Sequence, residues 1–428
     1  MLTTIIAIFV VGYLAIALEE VINVNKTASA LITGVLCWTA YVLLSTDSEI
    51  VVDQLSEHLA SISEILFFLL GAMTIVELID AHDGFAIITQ RIKTKNPVYL
   101  LWIICVLTFF LSALLDNLTT SIVMVSLLRK IVPESEQRKL MAGMIIISAN
   151  SGGAWSPIGD VSTTMLWIGG QITTLNIISR LILPSIVSLA VPLLYMTFAM
   201  KSSLQAIPVM TGSAAVAEGE QNGASPIEGR LMLIAGTLGL LFVPVFKTVT
   251  HLPPYMGMLL SLGTLWVLSE ILHKDKDEED RAPFTPAYAL SKIDASSILF
   301  FLGILAAVGV LESTEVLSDL AAQLNALVGN LDVIVLIIGV VSAIVDNVPI
   351  VAAAMGMYDL ATYPTDHRLW EFMAYCAGTG GSMLVIGSAA GVAVMGIEKL
   401  DFIWYIKRIS LLALIGYLAG AGVYLLMF

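Results

Sequence analysis

Two Asp-Asn pairs, Asp116-Asn117 and Asp346-Asn347, sit in the middle of apolar runs of this 428-residue chain. A carboxylate at the centre of a membrane helix costs about 2.5 to 3.5 kcal/mol on insertion scales, so its presence asks for a chemical reason. Capping a helix that restarts after a break is one such reason. Ser or Thr would cap equally well and avoid the desolvation cost, so two carboxylates in equivalent places point to binding of a cation or a proton. Thr119-Thr120 follows the first pair, Ser342 precedes the second, and Val348-Pro349 follows it. A helix broken inside a membrane leaves free N–H and C=O groups that side chains, water or an ion must satisfy.

A second kind of interruption accompanies each pair. The apolar segment 140–171 is broken by SANSGGAWSPIGDVSTT, Ser148 to Thr164, and the segment 370–396 by GTGGSMLVIGSAAG, Gly378 to Gly391. Gly and Pro unwind a helix, and unwound carbonyls together with Asn150, Ser162, Thr163, Thr164, Thr379, Ser382 and Ser388 supply hard oxygen ligands suited to Na⁺ or Li⁺. Asp160 adds a third carboxylate, which can also cap the helix beginning at Val161. The candidate Na⁺ ligands are therefore Asp116, Asn117, Asn150, Asp160, Asp346 and Asn347. No Arg or Lys falls inside these motifs, so an anionic substrate would meet uncompensated negative charge. Glu77, Asp80 and Glu312 lie toward segment ends, where interfacial solvation suffices.

The elements that must position these residues are membrane helices. Hydrophobic residues make up 58% of the chain and charged ones 13%, against roughly 25% charged in soluble domains. Apolar runs fall near 2–20, 27–45, 61–81, 97–130, 140–171, 177–200, 230–250, 254–273, 296–313, 331–361, 370–396 and 403–428. Each is long enough to cross about 30 Å of hydrocarbon as a helix. The run Met1 to Leu18 lacks a basic start and a small-residue cleavage site, so it reads as a retained helix. Acidic residues collect in expected loops such as Asp47 to Glu57 and Asp275 to Asp280, so the net charge of −14 reads as solvated faces and no nucleic-acid partner is expected.

Orientation follows from the basic residues, which favour the cytoplasmic side of short loops. With the N-terminus outside, and with 97–130 and 331–361 each entering and leaving by one face, seventeen of the twenty Lys and Arg fall inside. Arg180, Lys247 and Arg368 remain outside. The first hairpin is basic at both ends, whereas the second is flanked by Asp332 and Asp359. The halves are thus expected to be inverted, with both termini periplasmic in a bacterial-type inner membrane. Internal similarity agrees: SALLDN at 112–117 recurs as SAIVDN at 342–347, ANSGG at 149–153 as AGTGG at 377–381, and ILFFL at 65–69 again at 298–302, all at offsets of 228 to 233 residues. Asp160 corresponds to Ser388 in this register, so the site is asymmetric. The polar, Gly/Ser-rich residues 201–229 read as a cytoplasmic linker between a first repeat at 1–200 and a second at 230–428.

Cys37, Cys105 and Cys376 lie in apolar segments without a paired spacing and read as buried thiols. The five histidines lie at segment ends or in loops. That makes zinc an unsuitable cofactor and leaves a pH-sensing role for His82 or His273 open. HExxH and GxSxG signatures are absent, so nothing indicates an enzyme.

SALLDNLTTSIVM at 112–124, SANSGGAWSPIGDVSTTMLW at 148–167, SAIVDNVPIVAAAMGMY at 342–358 and GTGGSMLVIGSAAGVAVMG at 378–396 resemble the NhaD-type sodium/proton antiporters of the ion transporter superfamily. The resemblance covers essentially the whole chain. It implies an all-α polytopic membrane protein of two inverted repeats, each with a re-entrant helical hairpin and a discontinuous helix. It further implies a homodimer whose transport part moves as an elevator, exchanging cytoplasmic Na⁺ or Li⁺ for external H⁺ with no resident cofactor. By the same resemblance Asp116, Asn117, Thr119, Thr120, Asn150, Asp160, Ser162 and Thr163 form the ion site. Related carriers of other cargo, arsenite efflux permeases and sodium-coupled organic-anion importers, are the alternatives. The superfamily's dicarboxylate carriers resemble a neutral Ser-Asn-Thr set at both tips.

Overall fold

The computed structural model describes residues 1–85, 92, 94, 96–132, 135–203 and 225–428. Most of the expected linker, together with Arg91, Lys93 and Lys95 of the basic set, lies outside the described residues. Every regular element among the described residues is helical. The longer helices are α1 (Leu2–Ala17), α2 (Lys26–Leu44), α3 (Ser48–Ala81), α4 (Pro97–Leu115), α5 (Asn117–Ile131), α6 (Ser135–Gly153), α7 (Val161–Ile168), α8 (Thr174–Ser203) and α9 (Pro226–Thr250). They continue with α10 (Pro254–Leu272), α11 (Ala295–Ser313), α12 (Val316–Val328), α13 (Leu331–Val341), α14 (Asn347–Met357), α15 (Arg368–Gly380), α16 (Ala389–Glu398) and α17 (Leu411–Met427). Among the described residues eight helices are long and apolar enough to cross a membrane, or up to nine if α12 and α13, bent by 114°, count as one span. The chain is a polytopic helical membrane protein.

Three elements depart from the sequence reading. Asp47 to Glu57 is the start of α3 rather than a loop: Asp47 caps it through the Glu49 and Ile50 N–H groups, and Glu49 complements the helix dipole. At 34 residues α3 is about 50 Å long, so its acidic first turns extend beyond the hydrocarbon. The second, α12, was not expected, because its apolar stripe is one-sided and too short for a span. The third is the length of the unwound segments. Helix continues through Gly153 and through Gly380, leaving breaks only at 154–160 and 381–388.

Those glycines stay helical because backbone packs on them. A Cβ at Gly152 would overlap the Phe109 carbonyl, and one at Gly380 would overlap that of Gly339. Ser112 Oγ donates to Ala149 O at 2.6 Å, and Ser342 Oγ to Ala377 O at 2.9 Å. The same seam, helix before the break against helix after it, is thus built twice some 230 residues apart.

Two apolar cores hold the elements. One joins α1, α2, α3 and α11, and reaches Met165 of α7 and Val348 and Ala352 of α14. Here α2 and α11 lie in backbone contact, since a Cβ at Gly34 would be 2.6 Å from Gly303 O, and Thr27 Oγ1 donates to Ser296 O at 3.0 Å. The larger core gathers most of the remaining helices around α6 and α15, whose side chains are buried nearly throughout.

Where α3 and α10 end, His82 and His273 are buried and meet through Nε2 atoms 2.9 Å apart. Leu78 O lies 2.7 Å from His82 Nδ1 and can only accept, so that nitrogen carries the proton; His82 Nε2 then accepts from His273 Nε2–H. His273 Nδ1 is buried with no partner, beneath the stacked ring of Phe284. A proton added there would put charge in a buried place. Burial accordingly pulls His273 down to about 4 and His82 below its ordinary value, with Glu228 and Asp83 opposing the shift and Lys276 reinforcing it. The pair is neutral through the physiological range and reads as a structural clasp rather than a pH sensor.

The unfolded chain binds protons near pH 6.5 and the folded clasp does not, so the clasp's contribution is complete above about pH 6.5 and is lost as pH falls toward 4. The apparent melting temperature in detergent is expected to drop across that window. His273→Gln, which keeps an N–H donor and cannot titrate, should flatten the slope; an unchanged slope would refute this account of the pair.

Candidate cation site

The two helix breaks and the first discontinuous helix meet at Asp160, and the second discontinuous helix joins them through Asn150. Asp160 caps α7, and its Oδ1 accepts from Ser162 N–H at 2.8 Å and Ser162 Oγ at 2.7 Å. Asn117, the first residue of α5, donates its side-chain N–H to Asp160 Oδ2 at 2.5 Å. Asn347, the first residue of α14, donates to both carboxylate oxygens at 3.0 Å. Asn117 also donates to Asn150 Oδ1 at 3.0 Å, and Asn150 Nδ2 reaches Ser382 Oγ at 2.9 Å and Ser388 Oγ at 3.0 Å. One hydrogen-bonded network therefore joins Asn117, Asn150, Asp160, Ser162, Asn347, Ser382 and Ser388, all of them buried.

Every donor that Asp160 meets is neutral. A buried carboxylate with only neutral partners keeps its charge at a large desolvation cost, and a small cation or a proton removes that cost. The asparagine side chains suit either state, because a half-turn of the amide exchanges an N–H donor for a carbonyl ligand.

Asp116 lies beside this network in a different environment. It sits between α4 and α5 with φ 75° and ψ 161°, a region that residues other than Gly rarely enter. Its oxygens accept from Thr119 N–H and Thr119 Oγ1, each at 2.8 Å. A cavity runs along this tip, with Asp116, Asp160 and Thr164 on one wall and Phe68, Ala72, Val76, Leu240 and Met258 on the other. Its apolar wall comes from α3, α9 and α10, and both carboxylates line the other side.

The remaining candidates are placed less centrally. Thr163, Thr164, Ser342 and Thr379 give their hydroxyls to the carbonyls of Asp160, Pro157, Ala377 and Tyr375. The Thr120 hydroxyl is buried and has no partner among the described residues. Asp346 caps Val348 N–H at 3.3 Å and turns to Lys26 Nζ, 3.5 Å from its Oδ2. Lys26 lies outside the motifs, and no spacing in the sequence ties it to them. At the C-terminal end of α7, Lys247 Nζ donates to Trp167 O at 2.5 Å and sits over the Trp167 ring, a cap supplied by α9.

Comparison with known proteins gives a consistent grouping. The family described as Citrate transporter matches residues 13–372. Sodium/proton antiporter 1 of Arabidopsis thaliana is 51% identical over 98% of this chain and 71% of its own length, and sodium/proton antiporter 2 of the same plant 47% over 98% of both. The Na(+)/H(+) antiporter NhaD of Alkalimonas amylolytica is 31% identical over 98% of this chain and 89% of its own. The chain belongs to this family, in its NhaD-type branch. The relatives are named as antiporters, and the family as a transporter family, so the chain belongs among transporters rather than enzymes.

Asp116 isolates strain from capping. Gly at this position removes the cap, worth about 1 kcal/mol, and relieves backbone strain of about 1 to 3 kcal/mol. Ala removes the cap and keeps the strain. Asp116→Gly should therefore melt above Asp116→Ala by several degrees in detergent, whatever both do to transport; the reverse order would show that the positive φ is not strained.

Proposed function

We propose that this chain exchanges cytoplasmic Na⁺ or Li⁺ for external H⁺ by alternating access, with cation and proton competing for the Asp160 carboxylate. The observation that carries the reading is that carboxylate, buried among neutral donors from both breaks and without a cationic partner among the described residues. Na⁺ bound there would be held by Asp160 with the carbonyls of Asn117, Asn150 and Asn347 and the nearby hydroxyls. A proton on Asp160 would cancel the charge that attracts the ion. Either occupant neutralises the site and each excludes the other, which is the minimum that antiport requires. Asp116, on the cavity that leads to Asp160, is the second titrating group and the first carboxylate an entering ion would meet. The printed names of the relatives, sodium/proton antiporters, point the same way.

The finer architecture belongs to the same proposal. The duplicated seams at Ser112–Ala149 and Ser342–Ala377 support two repeats, and the basic residues at both ends of 97–130 support re-entrant hairpins in inverted halves with both termini outside. Helices α2, α3, α9, α10 and α11 would form the scaffold and dimer interface in a bacterial-type inner membrane, and the helices around Asp160 the part that moves as an elevator. Organic-anion uptake fits less well, because the anion would face Asp116 and Asp160 without a free guanidinium or ammonium at the shell among the described residues.

The decisive measurement is Na⁺-dependent dissipation of a pH gradient in proteoliposomes. The apparent KM for Na⁺ should rise as pH falls, approaching about tenfold per unit for single-proton competition. Asp160→Asn keeps the size of the side chain and removes its charge, so it should fold at the wild-type oligomeric size and lose exchange by roughly 100-fold or more. Normal exchange with normal pH dependence in Asp160→Asn and Asp116→Asn would place the site elsewhere.

A further inference from the structure

Of the three carboxylates singled out in the sequence, one already has a cation. Lys26 is the first residue of α2, its backbone N–H is taken by Glu19 Oε1 at 3.0 Å, and its ammonium lies 3.5 Å from Asp346 Oδ2 and 4.6 Å from the centre of the Phe300 ring. Lysine and aspartate are both largely buried, with 23% and 14% of their side chains exposed, so solvent screens the pair incompletely. The lysine is fixed to the α2–α11 unit by the Thr27–Ser296 bond and the Gly34–Gly303 contact. Asp346, by contrast, belongs to the break between α13 and α14, and the next residue, Asn347, donates to both oxygens of Asp160.

The geometry therefore sets out an alternating row: the Lys26 ammonium, the Asp346 carboxylate, the Asn347 amide and the Asp160 carboxylate. We propose that Lys26 is a positioning residue for the transport reaction: its ammonium holds the Asp346 carboxylate, which seats Asn347 against Asp160 and leaves Asp160 and Asp116 as the groups that trade Na⁺ for protons. This rests on the sodium/proton reading given above and sharpens it, because it removes one carboxylate from the exchanging set. The same pair ties the second break to the α2–α11 unit. Any displacement of Asp346 along that unit must first separate the two charges.

Removing either half of the pair should impair transport, to different degrees. Asp346→Asn leaves an unpaired ammonium one residue from the ion shell, where it repels Na⁺. Lys26→Gln leaves the Asp346 carboxylate without the ammonium that holds it, so Asn347 is less firmly seated on Asp160. The other titratable groups in electrostatic reach are Tyr13 of α1, Glu19 ahead of α2 and Asp160 across Asn347, and none of them is altered in the test.

Four variants in proteoliposomes, Lys26→Gln, Lys26→Arg, Asp346→Asn and the Lys26→Gln/Asp346→Asn double, would be compared for KM and maximal rate across pH 6 to 9. Asp346→Asn should raise the KM for Na⁺ at least about tenfold. Lys26→Gln should raise the KM for Na⁺ about threefold or more with a smaller effect on maximal rate. Lys26→Arg should stay near wild type, and the double variant should recover most of the KM lost in Asp346→Asn. A double variant as impaired as Asp346→Asn would mean that Asp346 is itself an ion ligand, and a Lys26→Gln protein with wild-type KM would mean that the lysine does nothing in transport; either overturns the proposal. The pair can also be judged without transport: the swap Lys26→Asp/Asp346→Lys should melt above Lys26→Asp alone, and failure to do so counts against the ion pair. Were wild type to move no protons in response to Na⁺, the antiport reading would fall first, while the melting comparison would still decide whether the pair exists.

Discussion

A single buried carboxylate organises the middle of this protein. Asp160 takes hydrogen bonds from its own helix start and from asparagines at the starts of two other helices. Each of those helix starts exists because a membrane helix has been interrupted, and interruption leaves backbone groups that hydrocarbon cannot satisfy. The breaks and the carboxylate are mutually dependent. Without Asp160 the two asparagine side chains would face one another with no common acceptor, and without the breaks no amide would reach it. The close seams of α4 on α6 and of α13 on α15, made possible by glycine at the points of contact, bring these ends to one place.

Electrostatics then separates the acidic residues by what faces them. Glu398 is fully buried and is met by Arg138 at 2.7 Å, and Glu371 is held by Asn176 and Tyr424. These are compensated or hydrogen-bonded carboxylates at helix ends, where they fasten α16 to α6 and α15 to α8. Asp346 has Lys26. Asp160 has amides and hydroxyls alone, and Asp116 has Thr119. A membrane interior penalises the last two most, which is why an ion reading attaches to them and not to the larger number of carboxylates elsewhere.

Much of this was legible in the sequence, for identifiable reasons. Composition and run length gave the helical membrane class, and the interruption of apolar runs by Asp-Asn located both breaks at the residue where α4 gives way to α5 and where α14 begins. Asn150, Ser382 and Ser388 were recognisable as members of one polar cluster because polar side chains inside apolar runs must meet something, and they meet one another. The extent of unwinding was not legible: SANSGG and GTGG look like helix breakers, yet they remain helical because the contact that rewards glycine there comes from a distant helix. Lys26 escaped for a related reason. Its partner is far away in sequence, and a lone lysine at a helix start reads as an interfacial anchor until packing brings it to Asp346. The acidic start of α3 was taken for a loop because hydropathy measures solvent preference, whereas capping and dipole chemistry decide whether a polar stretch continues as helix.

The inequality between the two half-helix starts carries a consequence of its own. Asp160 caps α7, and its counterpart in the second half, Ser388, caps α16 through Gly391 N–H. Asn150 lies between them, accepting from Asn117 on the Asp160 side and donating to Ser388 and Ser382 on the other. An aspartate at both starts would bring two anions to one amide, a shell matched to a divalent ion or to two monovalent ones. A serine at both would leave a neutral shell suited to a polar solute. With one of each, the shell holds a single negative charge at its centre. Under the proposed reading, the valence of what is held at the meeting of the breaks would turn on the difference between a carboxylate at Asp160 and a hydroxyl at Ser388.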